Sequence, residues 1–179
     1  MDVTCQRHVR HLACVRYVPL HLTLVSSSTS AGRIFPAINT PSPAGEIDIA
    51  EARGNNYTYP SGGTNVAFST THWGPSVALD RAYRTTAGSP QLHSTFHDDF
   101  HTFGLEWSAD YLYTYIDTRV RQVLKLNFGK QEGGLWSQGH FPQSWPNGSE
   151  VVDVWTEGTG SAPFDGAFYL VLSLAVGGE

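Results

Sequence analysis

The sequence predicts an all-β sandwich, and three observations carry that prediction. From residue 46 onward, short segments rich in β-branched and aromatic residues alternate apolar with polar positions. Clusters of glycine and proline at 60–63, 74–75, 133–134 and 146–148 break these segments apart as loops. No stretch shows the 3.6-residue apolar periodicity of an amphipathic helix convincingly enough to compete.

In chain order, residues 1–32 read as a segment outside the folded unit, either disordered or weakly leader-like. Arg7, Arg10 and Arg16, together with His residues, interrupt every apolar run long enough to span a membrane. Tyr17 to Val25 is a poor signal-peptide core, weakened by Pro19 and His21. Cys5 and Cys14 stand at a spacing that matches no zinc or redox motif. Residues 33–179 are then the single domain. Strands are expected around Ile47 and Ile49, over Val66 to Trp73, over Phe100 to Trp107 and over Tyr111 to Ile116. Asp117, Thr118 and Arg119 read as a hairpin turn. Phe168 to Val176 is apolar at almost every position, which suits a central strand.

Chemistry concentrates on the first of these strands. Glu46, Asp48 and Glu51 lie within a few residues, each beside an apolar neighbour. Alternation puts Glu46 and Asp48 on one face and would send Glu51 to the other. One extra residue near Ile49 or Ala50 would bring it back, and bulges are common where a side chain must be re-aimed. Like charges at close range raise at least one pKa, which yields an acid and a base at neutral pH. A retaining glycosidase uses such a pair at a separation of roughly 5 to 5.5 Å. The plainer alternative is a solvated edge strand whose charges discourage pairing.

The run Gly45 to Asn55 resembles the signature of glycoside hydrolase family 16, which includes endo-1,3-β-glucanases, endo-1,3(4)-β-glucanases and lichenases. Further blocks follow in the family's order: Thr71 to Pro75, Phe100 to Trp107, and Ala162 to Asp165 leading into Phe168 to Leu172. The inserted position between Asp48 and Glu51 is similar to the laminarinase branch. The resemblance implies a β-jelly-roll sandwich of the concanavalin A-like kind. It also implies Glu46 as nucleophile, Asp48 as electrostatic helper and Glu51 as acid/base, with no cofactor and no catalytic metal. His72 resembles a family histidine close to these carboxylates; the alternative is a buried histidine satisfied by backbone groups. Trp73 and Trp107 are candidate sugar platforms or core residues, and Arg53 and Asn55 are expected at the cleft. Arg53 could alternatively pair with Glu51.

The resemblance runs over about residues 33–178 and implies a chain that covers only part of the family's sandwich, incomplete at both ends. Phe35 and Asn39 stand where tryptophans are usual, the 40–44 connection is short, and Ser173 replaces a frequent asparagine. A net charge of −5 with 15% charged residues leaves no electrostatic footprint for nucleic acid or an anionic membrane. The expected partner is a neutral β-glucan polysaccharide, bound by a monomer, and the family implies an extracellular setting. Five Trp and eight Tyr suit sugar stacking as well as core packing. Asn56 and Asn147 begin glycosylation sequons. Lectin-like relatives keep the sandwich and lose catalysis, usually by replacing the carboxylates, so a glucan-binding remnant and a transglycosylase stand beside the hydrolase reading.

Overall fold

The computed structural model describes residues 10–16, 21–26, 45–128 and 133–173. Among them the strands are β1 (Arg10–Arg16), β2 (His21–Ser26), β3 (Glu46–Ala52), β4 (Val66–His72), β5 (Thr86–Pro90), β6 (Phe100–Trp107), β7 (Tyr111–Ile116), β8 (Gln122–Asn127) and β9 (Phe168–Ser173). They form a four-stranded sheet in the order β1-β6-β7-β8 and a five-stranded sheet in the order β5-β4-β3-β2-β9. Every pairing is antiparallel, and the architecture is the β-jelly-roll sandwich.

The core lies between the sheets because β3, β4, β6 and β7 send alternate side chains toward the facing sheet. On β7, Leu112, Thr114 and Ile116 point inward; on the facing sheet, Ile47 and Ala67 meet them, with Phe103 and Leu105 of β6 completing the layer. A polar chain crosses this layer. Thr114 Oγ1 donates to Ser69 Oγ at 2.8 Å, Ser69 Oγ donates to the Ile49 carbonyl at 2.8 Å, and the Leu124 N–H donates to Thr114 Oγ1 at 3.2 Å. That last bond falls where the β7–β8 register shifts between Tyr113 and Tyr115. Such chains stay buried only when each member finds a partner.

The outer face of the β6–β7 pair explains a block the sequence singles out. Gly104 is paired with Tyr115, and a Cβ at 104 would stand 2.1 Å from Tyr115 Cζ, so glycine is what lets that ring lie across β6. Glu106 accepts hydrogen bonds from the hydroxyls of Tyr111 at 2.7 Å and of Tyr113, and Arg119 approaches it at 3.3 Å. Glu106 is thus a strand-packing residue.

Three elements differ from the sequence expectation. The N-terminal segment, expected outside the folded unit as a disordered or weakly leader-like stretch, contributes β1 and β2, and β2 is hydrogen-bonded between β3 and β9. β9 is a strand as expected, but among the described residues it ends its sheet rather than occupying the centre. A short helix, α1 (Gly134–Gly139), stands where only a loop was expected. The Asp117 turn does join β7 to β8, with Asp117 at φ 62°. Phe35, Asn39, the 40–44 connection, Cys5 and residues 174–179 lie outside the described residues.

Candidate active site

The β3 strand pairs Glu46 with His72 and Asp48 with Thr70, then shifts register so that Glu51 pairs with Phe68. The same shift appears against β2, where Thr23 pairs with Asp48 and Leu22 with Ala50. One extra β3 residue is therefore accommodated at 49–50, a β-bulge. Ser69 points to the opposite sheet through its bond to Thr114, so Phe68, Thr70 and His72 face away from it. Glu46, Asp48 and Glu51 share that outward face. Thr70 Oγ1 donates to Glu51 Oε2 at 3.0 Å, which fixes the last carboxylate on the same side.

Asp48 is 1% exposed and Glu46 8%, so both carboxylates are largely withdrawn from water although they belong to the outer face. His72 is the countercharge. Its Nε2 lies 3.2 Å from Asp48 Oδ2 and its Nδ1 lies 2.6 Å from Asp80 Oδ2. Burial alone would lower the imidazole pKa, but the hydrogen bonds and charges of Asp48 and Asp80 outweigh it and push it up to about 10. At neutral pH the ring is an imidazolium: Nδ1 is hydrogen-bonded to Asp80, and Nε2 forms an ion pair with Asp48. Asp80 is anchored in turn: its Oδ1 accepts the N–H groups of Trp73 at 3.1 Å and Ala82 at 2.9 Å.

The other expected site residues divide. Arg53 lies on the carboxylate face beyond Glu51: its guanidinium stands 5.3 Å from the Phe68 ring centroid and donates to the Ser61 carbonyl at 2.7 Å. Asn55 is exposed in the following turn, where its carbonyl accepts from the Thr64 N–H at 2.8 Å. Trp73 is not an open platform. It is 3% exposed, its Nε1 donates to Thr85 Oγ1 at 2.9 Å, and its ring meets Phe141 edge-on. Trp107 is also placed inward, in alternation with Phe103 and Leu105, and packs edge-on against Phe168 at 5.0 Å. Both side chains lie on the inter-sheet side, Trp73 buried and Trp107 partly buried.

Sequence reasoning missed Thr70 and Asp80. Thr70 was within reach, since it stands two positions before His72 on one strand and must share its face. Asp80 carried no signal, because it lies in a loop between two single 3₁₀ turns, Val77–Leu79 and Ala82–Arg84. Ser173 pairs with His21, which in turn pairs with Glu51, so the register sets Ser173 in line with the last carboxylate.

Among known proteins, the chain is 34% identical to a β-1,3-glucan-binding protein of Penaeus monodon over 75% of this chain and 34% of that protein. It is also 34% identical to a glucan endo-1,3-β-glucosidase of Cryptopygus antarcticus over 76% of this chain and 39% of that one. The chain thus spans little more than a third of the length of these relatives. Its fold is shared with the endo-β-1,3-glucanase of Pyrococcus furiosus, at a TM-score of 0.53 and 22% identity over 90% of this chain and 46% of that chain. The family model of glycosyl hydrolases family 16 matches residues 21–162, a range that starts inside the segment first read as lying outside the fold and takes in β2 and the whole carboxylate strand. With most of its length so matched, the chain belongs to family 16 of the glycosyl hydrolases.

Proposed function

We propose that this chain hydrolyses internal β-1,3 or mixed β-1,3/1,4 linkages of a β-glucan with retention of configuration, in an extracellular setting. The observation that carries the reading is the bulged strand that keeps Glu46, Asp48 and Glu51 on one face. In this mechanism the Glu46 carboxylate attacks the anomeric carbon while Glu51 protonates the departing glycosidic oxygen, giving a glycosyl ester on Glu46. Glu51, now a carboxylate, takes a proton from water as that water displaces Glu46. Asp48 lies between them, with His72 Nε2 at 3.2 Å from its Oδ2. Thr70 holds Glu51 in a fixed rotamer through its hydroxyl. Arg53 and Asn55 supply polar contacts at the Glu51 end of the cleft.

A second reading, glucan binding without cleavage, is favoured by one observation: a 34%-identical relative is a β-1,3-glucan-binding protein. All three carboxylates are present here, which supports the hydrolase. The test is reducing-sugar release from laminarin and from barley β-glucan, with Glu46→Gln in parallel. The hydrolase reading expects release that falls by about 10³-fold or more in the variant. Retention of laminarin on an affinity gel with no sugar release would favour the binding protein.

A further inference from the structure

We propose that Asp80 is a positioning residue for the carboxylate strand: it holds Nδ1 of His72 so that Nε2 and the positive charge of the ring are kept against Asp48 as an ion pair. The inference rests on the reading of Glu46, Asp48 and Glu51 given above. Asp80 divides its two oxygens between two tasks. Oδ1 takes the backbone N–H groups of Trp73 and Ala82 and so fastens the 73–82 loop onto the end of β4. The Arg81 N–H donating to the Trp73 carbonyl at 2.8 Å closes the same loop. A purely structural turn needs only these bonds. Oδ2 is left for His72 and meets Nδ1 at 2.6 Å, the shorter of the ring's two carboxylate contacts. The aspartate anchored in the loop is therefore the stronger orienting partner, and Asp48 is the recipient.

The charged groups around His72 make the direction of the effect plain. From β3 the ring faces Asp48 and is in register with Glu46; Glu51 lies further along the same face, tied to β4 by Thr70. From the loop it faces Asp80. The nearby cation Arg81 is committed to the Gly139 carbonyl at 2.8 Å and to the face of Phe141 at 4.7 Å. An imidazolium held between Asp80 and Asp48 separates the two anions and neutralises the centre of the carboxylate row. Removing the Asp80 charge weakens the ring's hold on its second proton, and an uncharged ring leaves Asp48 beside Glu46 and Glu51 without a countercharge.

Asp80→Asn separates the two tasks. Its carbonyl oxygen still accepts from Trp73 and Ala82, while its amide donates to Nδ1 and favours the neutral ring. In the whole chain, nitrogen-15 NMR of His72 follows ring protonation with or without activity. The wild type is expected to keep both ring protons well above pH 8, and Asp80→Asn to lower the midpoint by about one unit or more. With laminarin, kcat is expected to fall roughly 10- to 100-fold with little change in KM, the scale seen for the orienting partners of metal-ligating histidines. In a His72→Gln background, Asp80→Asn should add no further loss. Asp80→Ser, whose hydroxyl can still accept one loop N–H, serves if the asparagine variant does not fold. A wild-type His72 that titrates near its ordinary value of about 6.5, or one unmoved by Asp80→Asn, overturns the proposal. So do kcat losses that multiply independently in the double variant. A wild type inactive on every glucan overturns the hydrolase reading instead, and the NMR midpoint then judges Asp80 alone.

Discussion

His72 couples the site to stability as well as to chemistry. Its pKa in the folded chain is raised, from an ordinary value near 6.5 to about 10, so the folded state binds this proton more tightly than the unfolded one. The stabilisation is complete below the unfolded value, declines as pH rises through the interval, and is gone once pH passes the folded value. Denaturant midpoints measured between pH 6 and pH 10 should therefore fall with rising pH, and the slope should flatten in His72→Gln. A wild-type slope equal to that of the variant would mean that the ring is not held as an imidazolium. At this scale the sequence was legible where residues act through parity on one strand. Glu46, Asp48 and Glu51 could be placed on a common face once a bulge was invoked, whereas His72 was brought near them only by the family resemblance. Trp73 and Trp107 could not be assigned, because an aromatic beside a cleft and an aromatic in a sandwich core have the same local pattern. Asp80 was illegible, because its contact depends on how a loop folds back onto β4.

The bulge in β3 is the feature on which the elements turn. Without it Glu51 would enter the inter-sheet layer among Ile47, Ala67 and Leu112, where an unpaired carboxylate is costly. The bulge is also tied into the core, since Ile49 within it supplies the carbonyl that Ser69 binds, and Ser69 is bound in turn by Thr114. Thr114→Val keeps the shape of that side chain but removes its hydroxyl. The variant leaves the Leu124 N–H without this acceptor in a buried setting. We expect a loss of about 1–3 kcal/mol in unfolding free energy, read as a lower denaturant midpoint. No loss would show that the chain of hydroxyls contributes nothing to joining the sheets. β3, β4, β6 and β7 were legible from alternation. β2 was not, although His21, Leu22, Thr23, Leu24 and Val25 do alternate in part, because basic and leader-like features around it suggested a different use.

Across the whole molecule, the two sheets have distinct duties. The four-stranded sheet supplies the buried face against which the other sheet packs, and its outer surface is closed by the Glu106, Tyr111 and Tyr113 cluster. The five-stranded sheet carries on the face turned away from the other sheet a row that runs from Thr86 through Thr70, Asp48 and Thr23 to Val171 by register. Carboxylates at the middle of such a face, flanked by polar positions, suit the neutral polymer proposed above as substrate. Composition pointed the same way, through low charge and many aromatics, but could not say which face would carry the ligand. That depended on register, which hydrogen bonding between strands distant in sequence decides.

The most direct test of this account is covalent trapping. An activated 2-deoxy-2-fluoro laminari-oligosaccharide slows hydrolysis of the glycosyl ester more than its formation, and peptide mass spectrometry then locates the label. The account predicts a single adduct on Glu46, absent in Glu46→Gln. A label on Glu51, or no label on folded chain that still binds laminarin, would contradict it.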